Sequence, residues 1–284
     1  MAADGRKCLE LRVRGEKWAN YPRGMTFPSM FAYAYPLRGR GVVSLVLYVA
    51  NKIGLDRLLL KKVESCRLPD GMPENIALFW PAPSRSTGRF YGFVVDGRKV
   101  VEFVKFATSE EEKKILRREA ENTAIAKDIS DGLFRVPEVL GLCEDAETLA
   151  VRYQAVPDEA ATPPVNAEWI ARARDSIKRI AIHGYSHGDF SWHNLKASGD
   201  NLWVLDWEEL RSGAPHLVDE ICFETGLAYY WKHMPLQKVL DDFAARYGVD
   251  AASREATKLA VEDLHRRRIS MGDILKKAVC DWGW

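Results

Sequence analysis

His187-Gly188-Asp189-Phe190-Ser191-Trp192-His193-Asn194, followed after a short gap by Val204-Leu205-Asp206-Trp207-Glu208, is the stretch on which the reading of this chain turns. It has the form H-x-D-x-x-x-x-N and then an apolar strand that ends in D-x-E. A strand ending on a carboxylate delivers that group to a sheet edge, where a ligand can reach it. An Asp, an Asn and a second Asp converging there are the set that phosphoryl transfer to a hydroxyl requires. One acid accepts the hydroxyl proton, while the amide and the other acid hold the magnesium that bridges the phosphates.

The rest of the chain is compatible with such an enzyme. Its 284 residues, 47% hydrophobic and 29% charged, describe a soluble globular protein of one large domain or two moderate ones. With 41 basic and 40 acidic residues the formal net charge is +1, which argues against a polyanion-binding surface and so against nucleic acid as a partner. Cys8, Cys66, Cys143, Cys222 and Cys280 are widely spaced and form no C-x-x-C pair. That usage suits reduced thiols in a cytosol better than a disulfide framework or a zinc site. Residues 1–7 carry no apolar core behind their charges, so no signal peptide is expected. The longest apolar run, residues 42–50, falls well short of the roughly 20 residues of a membrane span. A cytoplasmic protein is the expectation.

Taken in order, residues 1–40 hold the turn signals Tyr21-Pro22-Arg23-Gly24 and Tyr35-Pro36 and predict short strands and loops. Residues 41–62 place Val43, Val46, Leu47, Ala50, Ile53, Leu58 and Leu59 mostly at helical spacing, predicting one or two helices on a core. Lys52, Arg57, Lys61 and Lys62 beside that apolar face leave a peripheral membrane contact open. Residues 76–80, 89–95 and 98–106 read as strands, the last two joined by a tight turn at Asp96-Gly97. Residues 81–88 between the first two form a loop rich in small residues.

In the third strand Val101, Phe103 and Lys105 share a face, and a lysine in phase with Val and Phe needs an anionic partner unless it snorkels to the edge. The helix that follows, opened by Thr108-Ser109-Glu110-Glu111-Glu112, has an inner stripe through Ile115, Leu116, Ala120, Thr123, Ala124 and Ala126. Glu119 lies on that stripe and Glu121 on the outer side, so Lys105 and Glu119 form a candidate ion pair. Residues 136–140 and 148–153 predict two more strands. Residues 154–164 are an Ala/Pro-rich connector, after which residues 166–182, 217–231, 236–247 and 253–279 carry helical periodicity.

A kinase-type site needs a flexible loop over the phosphates, a strand lysine that neutralises them and a helix acid that holds the lysine. It also needs a catalytic Asp for the attacking hydroxyl, and an Asn with a second Asp for the metal. The chain offers a candidate for each in that order: Ser84, Ser86, Thr87 and Gly88; Lys105; Glu119; Asp189; Asn194; Asp206.

On these residues the chain resembles the aminoglycoside phosphotransferase and choline kinase branch of the protein-kinase-like superfamily. Within it, the pattern is closest to phosphotransferases associated with bacterial surface polysaccharide genes. The resemblance covers about residues 76–230. It implies an α+β, two-lobed kinase-like fold, with a β-rich N-lobe carrying one main helix and a mostly helical C-lobe. The boundaries expected are an N-terminal extension over residues 1–70, the N-lobe over 71–155 and the C-lobe over 156–284. It further implies ATP and Mg2+ as cofactors, and a hydroxyl of a small molecule or glycan, a sugar or glycolipid favoured, as acceptor.

Carried over, Asp189 resembles the catalytic base and Asn194 and Asp206 the magnesium ligands. His187 resembles the brace of the catalytic loop, and Asp219 the helix acid that bonds the backbone of that loop. Tyr153, Gln154 and Val156 fall where a hinge offers backbone groups to the adenine. Glu208 would lie near the metal or a basic partner, and His193 would shape the acceptor site or face solvent. The phosphate loop departs from the protein-kinase pattern in having Gly88 as its one glycine. Two rivals stand beside this reading. One is a metal-dependent hydrolase using His183, His187, Asp189, His193 and Asp206, and the other a kinase-like binding module without turnover.

Overall fold

The computed structural model describes residues 7–13, 16–22, 61–64, 68–79, 88–97, 99–157, 159–215 and 217–281. They form an α+β fold divided into two compact units, Met1–Ala120 with Glu138–Asp158, and Glu121–Pro137 with Glu159–Trp284. Ser84, Ser86 and Thr87, and the helices expected over residues 41–60, lie outside the described residues.

The first unit is built on one antiparallel sheet of eight strands in the order β3-β1-β2-β4-β5-β6-β8-β7. In chain order they are β1 (Lys7–Val13), β2 (Glu16–Pro22), β3 (Lys61–Glu64), β4 (Ile76–Phe79), β5 (Arg89–Asp96), β6 (Lys99–Ala107), β7 (Val139–Glu144) and β8 (Leu149–Gln154). Lys61 and Lys62, expected to end a helix, instead pair with Glu10 and Leu9 of β1. Residues 61–64 thus end the strand order of this sheet. The β5–β6 hairpin closes with Asp96 opposite Lys99, and Gly97 supplies the positive φ of 59° that such a turn requires. One face of the sheet packs Ile76, Leu78, Phe90, Val104 and Phe106 into a buried core, with the Phe90 and Phe106 rings stacked at 4.4 Å. The other face packs Leu149, Val151 and Tyr153 against Leu116 and Ala120.

Those last two residues belong to helix α1 (Glu110–Ser130). Ser109 Oγ accepts the Glu112 N–H at 3.3 Å, capping the first turn, and three glutamates complement the positive end of the helix. Asp131 and Gly132 end it with positive φ values of 44° and 77°. Leu116, Ala120, Thr123 and Ala126 are buried as the stripe predicts, but Ala124 is exposed. It follows Thr123 by one residue, about 100° around the helix, and so falls off the buried arc. The strand expected at residues 136–140 begins only at Val139. Pro137 has no N–H to give a ladder, and Arg135 is committed within the second unit, its N–H to Leu202 O and its carbonyl to the Val204 N–H.

The second unit contains α2 (Ala167–Ile182), the strand pairs β9 (Tyr185–Ser186) with β12 (Arg211–Ser212) and β10 (Leu195–Ser198) with β11 (Asn201–Val204), and α3 (Val218–Gly226). After α3 the chain makes a π-helical turn over Leu227–Trp231, then α4 (Leu236–Tyr247), α5 (Ala251–Arg266) and α6 (Ser270–Asp281). Asn166 caps α2 by accepting the Trp169 N–H at 3.0 Å. One core gathers Phe134, Phe190, Trp192, Trp207 and Phe223 behind the 187–194 stretch. A second packs Ile221, Phe243, Val261, Leu264 and Leu275 between the helices. The periodic run at residues 253–279 is two helices rather than one, because Arg268 adopts a positive φ of 58°. Ile269 N–H then returns to Leu264 O at 3.0 Å, which closes α5 in the manner of a left-handed C-cap.

Candidate active site

In the first unit the lysine and the acid meet. Lys105 Nζ lies 2.6 Å from Glu119 Oε1, with the two side chains 11% and 3% exposed. Lys105 stands on β6 between Tyr91 of β5 and Val151 of β8, and Glu119 descends from α1 into the same apolar setting. Desolvating two charges costs several kcal/mol each, so a buried pair of this kind is weak support for stability and stronger support for a role in the site.

Gly88, at φ 88°, is anchored by its carbonyl, which accepts from the Thr108 N–H at 2.9 Å and from Thr108 Oγ1 at 3.0 Å. Of the stretch expected to meet an adenine, Tyr153 and Val156 are buried. The N–H groups of Gln154 and Ala155 are already engaged by the carbonyls of Glu138 and Val101 at 2.8 and 3.3 Å. Those two amides are spent within the first unit.

In the second unit the 187–194 stretch is held at its backbone. Asp219, 5% exposed on α3, accepts the His187 N–H and the Gly188 N–H, each at 2.7 Å. His187 is fully buried and both ring nitrogens are committed. Nδ1 accepts the Asp189 N–H at 3.3 Å, so Nε2 carries the proton and donates to Leu205 O at 3.0 Å. Burial holds its pKa below the ordinary imidazole value, with the nearby Asp219 charge opposing that shift. Its ring packs against Phe190 and Trp207 at 5.5 and 4.5 Å.

Gly188 has φ 86°, and a Cβ there would sit 2.0 Å from Arg267 Nη1 and 2.7 Å from Glu209 O. The close approach is used: Arg267 Nη2 donates to Gly188 O at 2.5 Å, Nε to Asp263 Oδ2 at 3.1 Å and Nη1 to Glu209 Oε2 at 3.4 Å. An arginine just beyond α5 thus ties the loop to two acids.

The three polar groups of the motif converge. Asn194 ends a short 3-10 turn over Trp192–Asn194 and donates from Nδ2 to Asp189 O at 3.0 Å and to Asp189 Oδ2 at 3.5 Å. The β10–β11 pairing sets Leu195 opposite Val204, and the Leu205 N–H returns to Asn194 O at 2.9 Å. That register delivers Asp206 beside Asn194. Asp206 adopts φ 67°, ψ 65°, a left-handed conformation that costs a non-glycine residue about 1–2 kcal/mol and that clusters at functional sites. Asn122 fixes the next turn, its Nδ2 donating to the carbonyls of Trp207 and Glu208 at 2.9 and 3.5 Å.

Burial, with the Asp206 and Glu208 charges behind it, pushes the Asp189 carboxyl up to about 7, against the opposing pull of Arg267 and Asn194. A carboxylic acid so placed changes protonation near neutrality, as a general base must. The Asn194 amide oxygen and the Asp206 carboxylate are hard oxygen donors of the kind a divalent cation such as magnesium takes. These residues fit that ion.

The histidines do not form a metal cluster. His183 is exposed at the end of α2, His193 is exposed with Nε2 3.2 Å from Ser191 Oγ, and His187 has no nitrogen to spare. Among the described residues, no histidine belongs to a group of side chains that could hold a metal ion.

Several contributors escape a reading of the sequence. Arg267 sits inside Arg266-Arg267-Arg268, which reads as a solvated basic run, and nothing local separates the one half-buried member. Asn122 lies on the inner arc of α1, where polarity at a buried position was the available signal. Cys222, with Sγ 3.9 Å from Asp189 Oδ1, reads as an ordinary buried helix residue.

No protein-family model matches the chain, and no curated protein matches it. Similarity is found among solved structures. A crystal structure of WbdD matches with a TM-score of 0.44 and 14% identity, covering 70% of this chain and 50% of that one. A structure described as that of the bifunctional kinase-methyltransferase WbdD matches with a TM-score of 0.34 and 12% identity, covering 65% of this chain and 38% of that one. The aminoglycoside phosphotransferase APH(3'')-Id from Streptomyces rimosus matches with a TM-score of 0.37 and 15% identity, covering 63% of this chain and 90% of that one. This chain spans about half the length of the WbdD chain first named. In fold, the chain is similar to WbdD and to an aminoglycoside phosphotransferase.

Proposed function

We propose that the protein is an ATP-dependent phosphotransferase that moves the γ-phosphate to a hydroxyl of a small molecule or glycan, with Mg2+. The observation that carries the reading is the setting of Asp189, bonded to Asn194 on a loop whose backbone is clamped by Asp219.

In this reading Asp189 accepts the proton of the attacking hydroxyl. Asn194 and Asp206 hold magnesium, which when bound neutralises charge on the phosphates. Lys105, kept in place by Glu119, pairs with the nucleotide phosphates. His187 and Asp219 hold the loop so that the Asp189 carboxylate is already oriented when the acceptor arrives; such pre-organisation supplies much of the rate in phosphoryl transfer. No described helix is long and apolar enough to cross a membrane.

The test is an ATP-consumption screen with magnesium against monosaccharides, nucleotide sugars, lipopolysaccharide core fragments, choline and aminoglycosides. Acceptor-dependent ADP release that vanishes in Asp189→Asn supports the proposal. Release with no acceptor dependence, or unchanged in that variant, contradicts it.

A further inference from the structure

The Gly188–Asp189 peptide leads directly into Asp189, and both of its polar groups are committed. Its N–H goes to His187 Nδ1 at 3.3 Å. Its carbonyl accepts from Arg267 Nη2 at 2.5 Å, across 79 positions of sequence. Gly188 is buried, and a buried carbonyl needs a donor. Here the donor is a side chain from beyond α5. The glycine admits it, since a Cβ at position 188 would overlap Arg267 Nη1.

The guanidinium is itself held in place. Nε donates to Asp263 Oδ2 at 3.1 Å and Nη1 to Glu209 Oε2 at 3.4 Å. A rigid planar fork that serves three acceptors has little freedom to turn. Asp263, 2% exposed, also pairs with Arg211, so two arginines face two acids and the local charge balances. What Arg267 adds beyond charge is direction: it fixes where the Gly188 carbonyl points, and with it the plane of the peptide that enters Asp189. The Asp189 carboxylate has looser partners of its own. Asn194 Nδ2 lies 3.5 Å from Oδ2 and Cys222 Sγ 3.9 Å from Oδ1, both at the long end for hydrogen bonds. The aim of the side chain therefore depends on its backbone.

We infer that Arg267 is a positioning residue for Asp189, acting through the plane of the Gly188–Asp189 peptide. Asp219 and His187 hold the N–H groups of the loop, and Arg267 holds its carbonyl. The arginine lies outside residues 76–230, over which the chain resembles kinase-like phosphotransferases, so a residue from the C-terminal helices joins the support of the site. A misplacement of about 1 Å at a reacting group costs on the order of a hundredfold in rate, and this bond limits such drift. The inference rests on the phosphotransferase reading for what Asp189 does, and adds a residue to it.

The test compares the full chain with Arg267→Lys, Arg267→Met and Arg211→Met. Arg211→Met is the control, because it takes a partner from the same Asp263 without touching the loop. Hydrogen exchange of the 187–189 amides is read by mass spectrometry without ligand, beside the core amides of α3. Exchange at 187–189 should quicken by about tenfold or more in Arg267→Met, less in Arg267→Lys, and no more than in the α3 core in Arg211→Met. With the best acceptor of the screen, kcat should fall about ten- to hundredfold in Arg267→Met at a KM for ATP within a few-fold of the parent, and stay within a few-fold in Arg211→Met. If Arg267→Met does not fold, Arg267→Lys decides, with the same signs. Loop exchange no faster than in Arg211→Met, an unchanged kcat, or an equal fall in kcat for both arginines overturns the inference. The two readings fail separately. A parent protein that transfers phosphate to no acceptor sinks the phosphotransferase, and the placement of Asp189 by Arg267 is then judged on exchange alone.

Discussion

Asp219 Oδ1 accepts the Gly188 N–H at 2.7 Å, so an acid on helix α3 holds the His187–Gly188 peptide, one short of Asp189. The other oxygen of the same carboxylate holds the His187 N–H at 2.7 Å. One side chain therefore sets two consecutive peptides of the loop. Hydrogen bonds to a charged group contribute about 1.5–3 kcal/mol each. Asp219→Ala should lower unfolding stability in urea by about 3–6 kcal/mol and reduce turnover with it. A stable variant with full activity would show that the loop holds its own shape.

Gly188 is constrained from a second side. Its positive φ and the Arg267 guanidinium 2.0 Å from a Cβ position leave no room for a methyl group. Gly188→Ala should cost at least about 2 kcal/mol, of which the backbone conformation alone accounts for roughly 1–2. The measurement is the urea midpoint, which should fall at unchanged m-value.

Much of this arrangement is legible in the sequence, and the reasons are local. The H-x-D-x-x-x-x-N spacing brings Asp189 and Asn194 within hydrogen-bond reach because five residues and one 3-10 turn separate them. Lys105 and Glu119 could be paired because each was polar on an otherwise apolar face, which is a signal of period two in the strand and 3.6 in the helix. What could not be read depends on distant parts of the chain. Arg267 reaches Gly188 across 79 positions, and neither residue carries a local mark of the contact. The division of residues 253–279 at Arg268 needs a left-handed residue that is not glycine, so the usual stop signal is absent. Lys61 and Lys62 fit helical spacing, but β1 offered an open edge and the ladder prevailed.

The Arg267 clamp has its own consequence. Its side chain is 10% exposed and Asp263 is 2% exposed. Arg267→Met should destabilise the protein by about 3–5 kcal/mol, because it leaves buried acid charge with less compensation. Arg267→Lys should recover only part of that loss, since an ammonium cannot reproduce a planar fork that serves three acceptors. Full recovery by lysine would mean that charge alone is required. Urea unfolding of the three proteins decides it.

His187 makes stability depend on pH with a defined sign. Burial lowers its pKa in the folded protein below the value of about 6.5 expected when unfolded, so the unfolded chain binds the proton more readily. The stabilisation is complete above about pH 6.5 and is lost as pH falls below it. The His187 contribution, read as the difference in urea midpoint from His187→Gln, whose side chain does not titrate there, should therefore decline between about pH 6.5 and 5.

The lysine pair bears on the nucleotide. Lys105→Met should weaken ATP binding or turnover, and should also destabilise the fold by removing the charge beside a carboxylate that is 3% exposed. Adding Glu119→Gln should restore much of the stability but none of the function. Calorimetric titration with ATP and magnesium, set beside unfolding curves, separates the two effects. An unchanged titration and rate in Lys105→Met would show that another cation serves the phosphates.

The central claim is that Asp189 is the base for an attacking hydroxyl. The most direct measurement is phosphate transfer from radiolabelled ATP to the best acceptor of the screen by Asp189→Asn, with ATP affinity determined on the same sample. The amide keeps the shape of the side chain and cannot take a proton. Loss of transfer by at least about a hundredfold, with ATP affinity within a few-fold of the unsubstituted protein, is the predicted result. Transfer at the original rate would contradict the account.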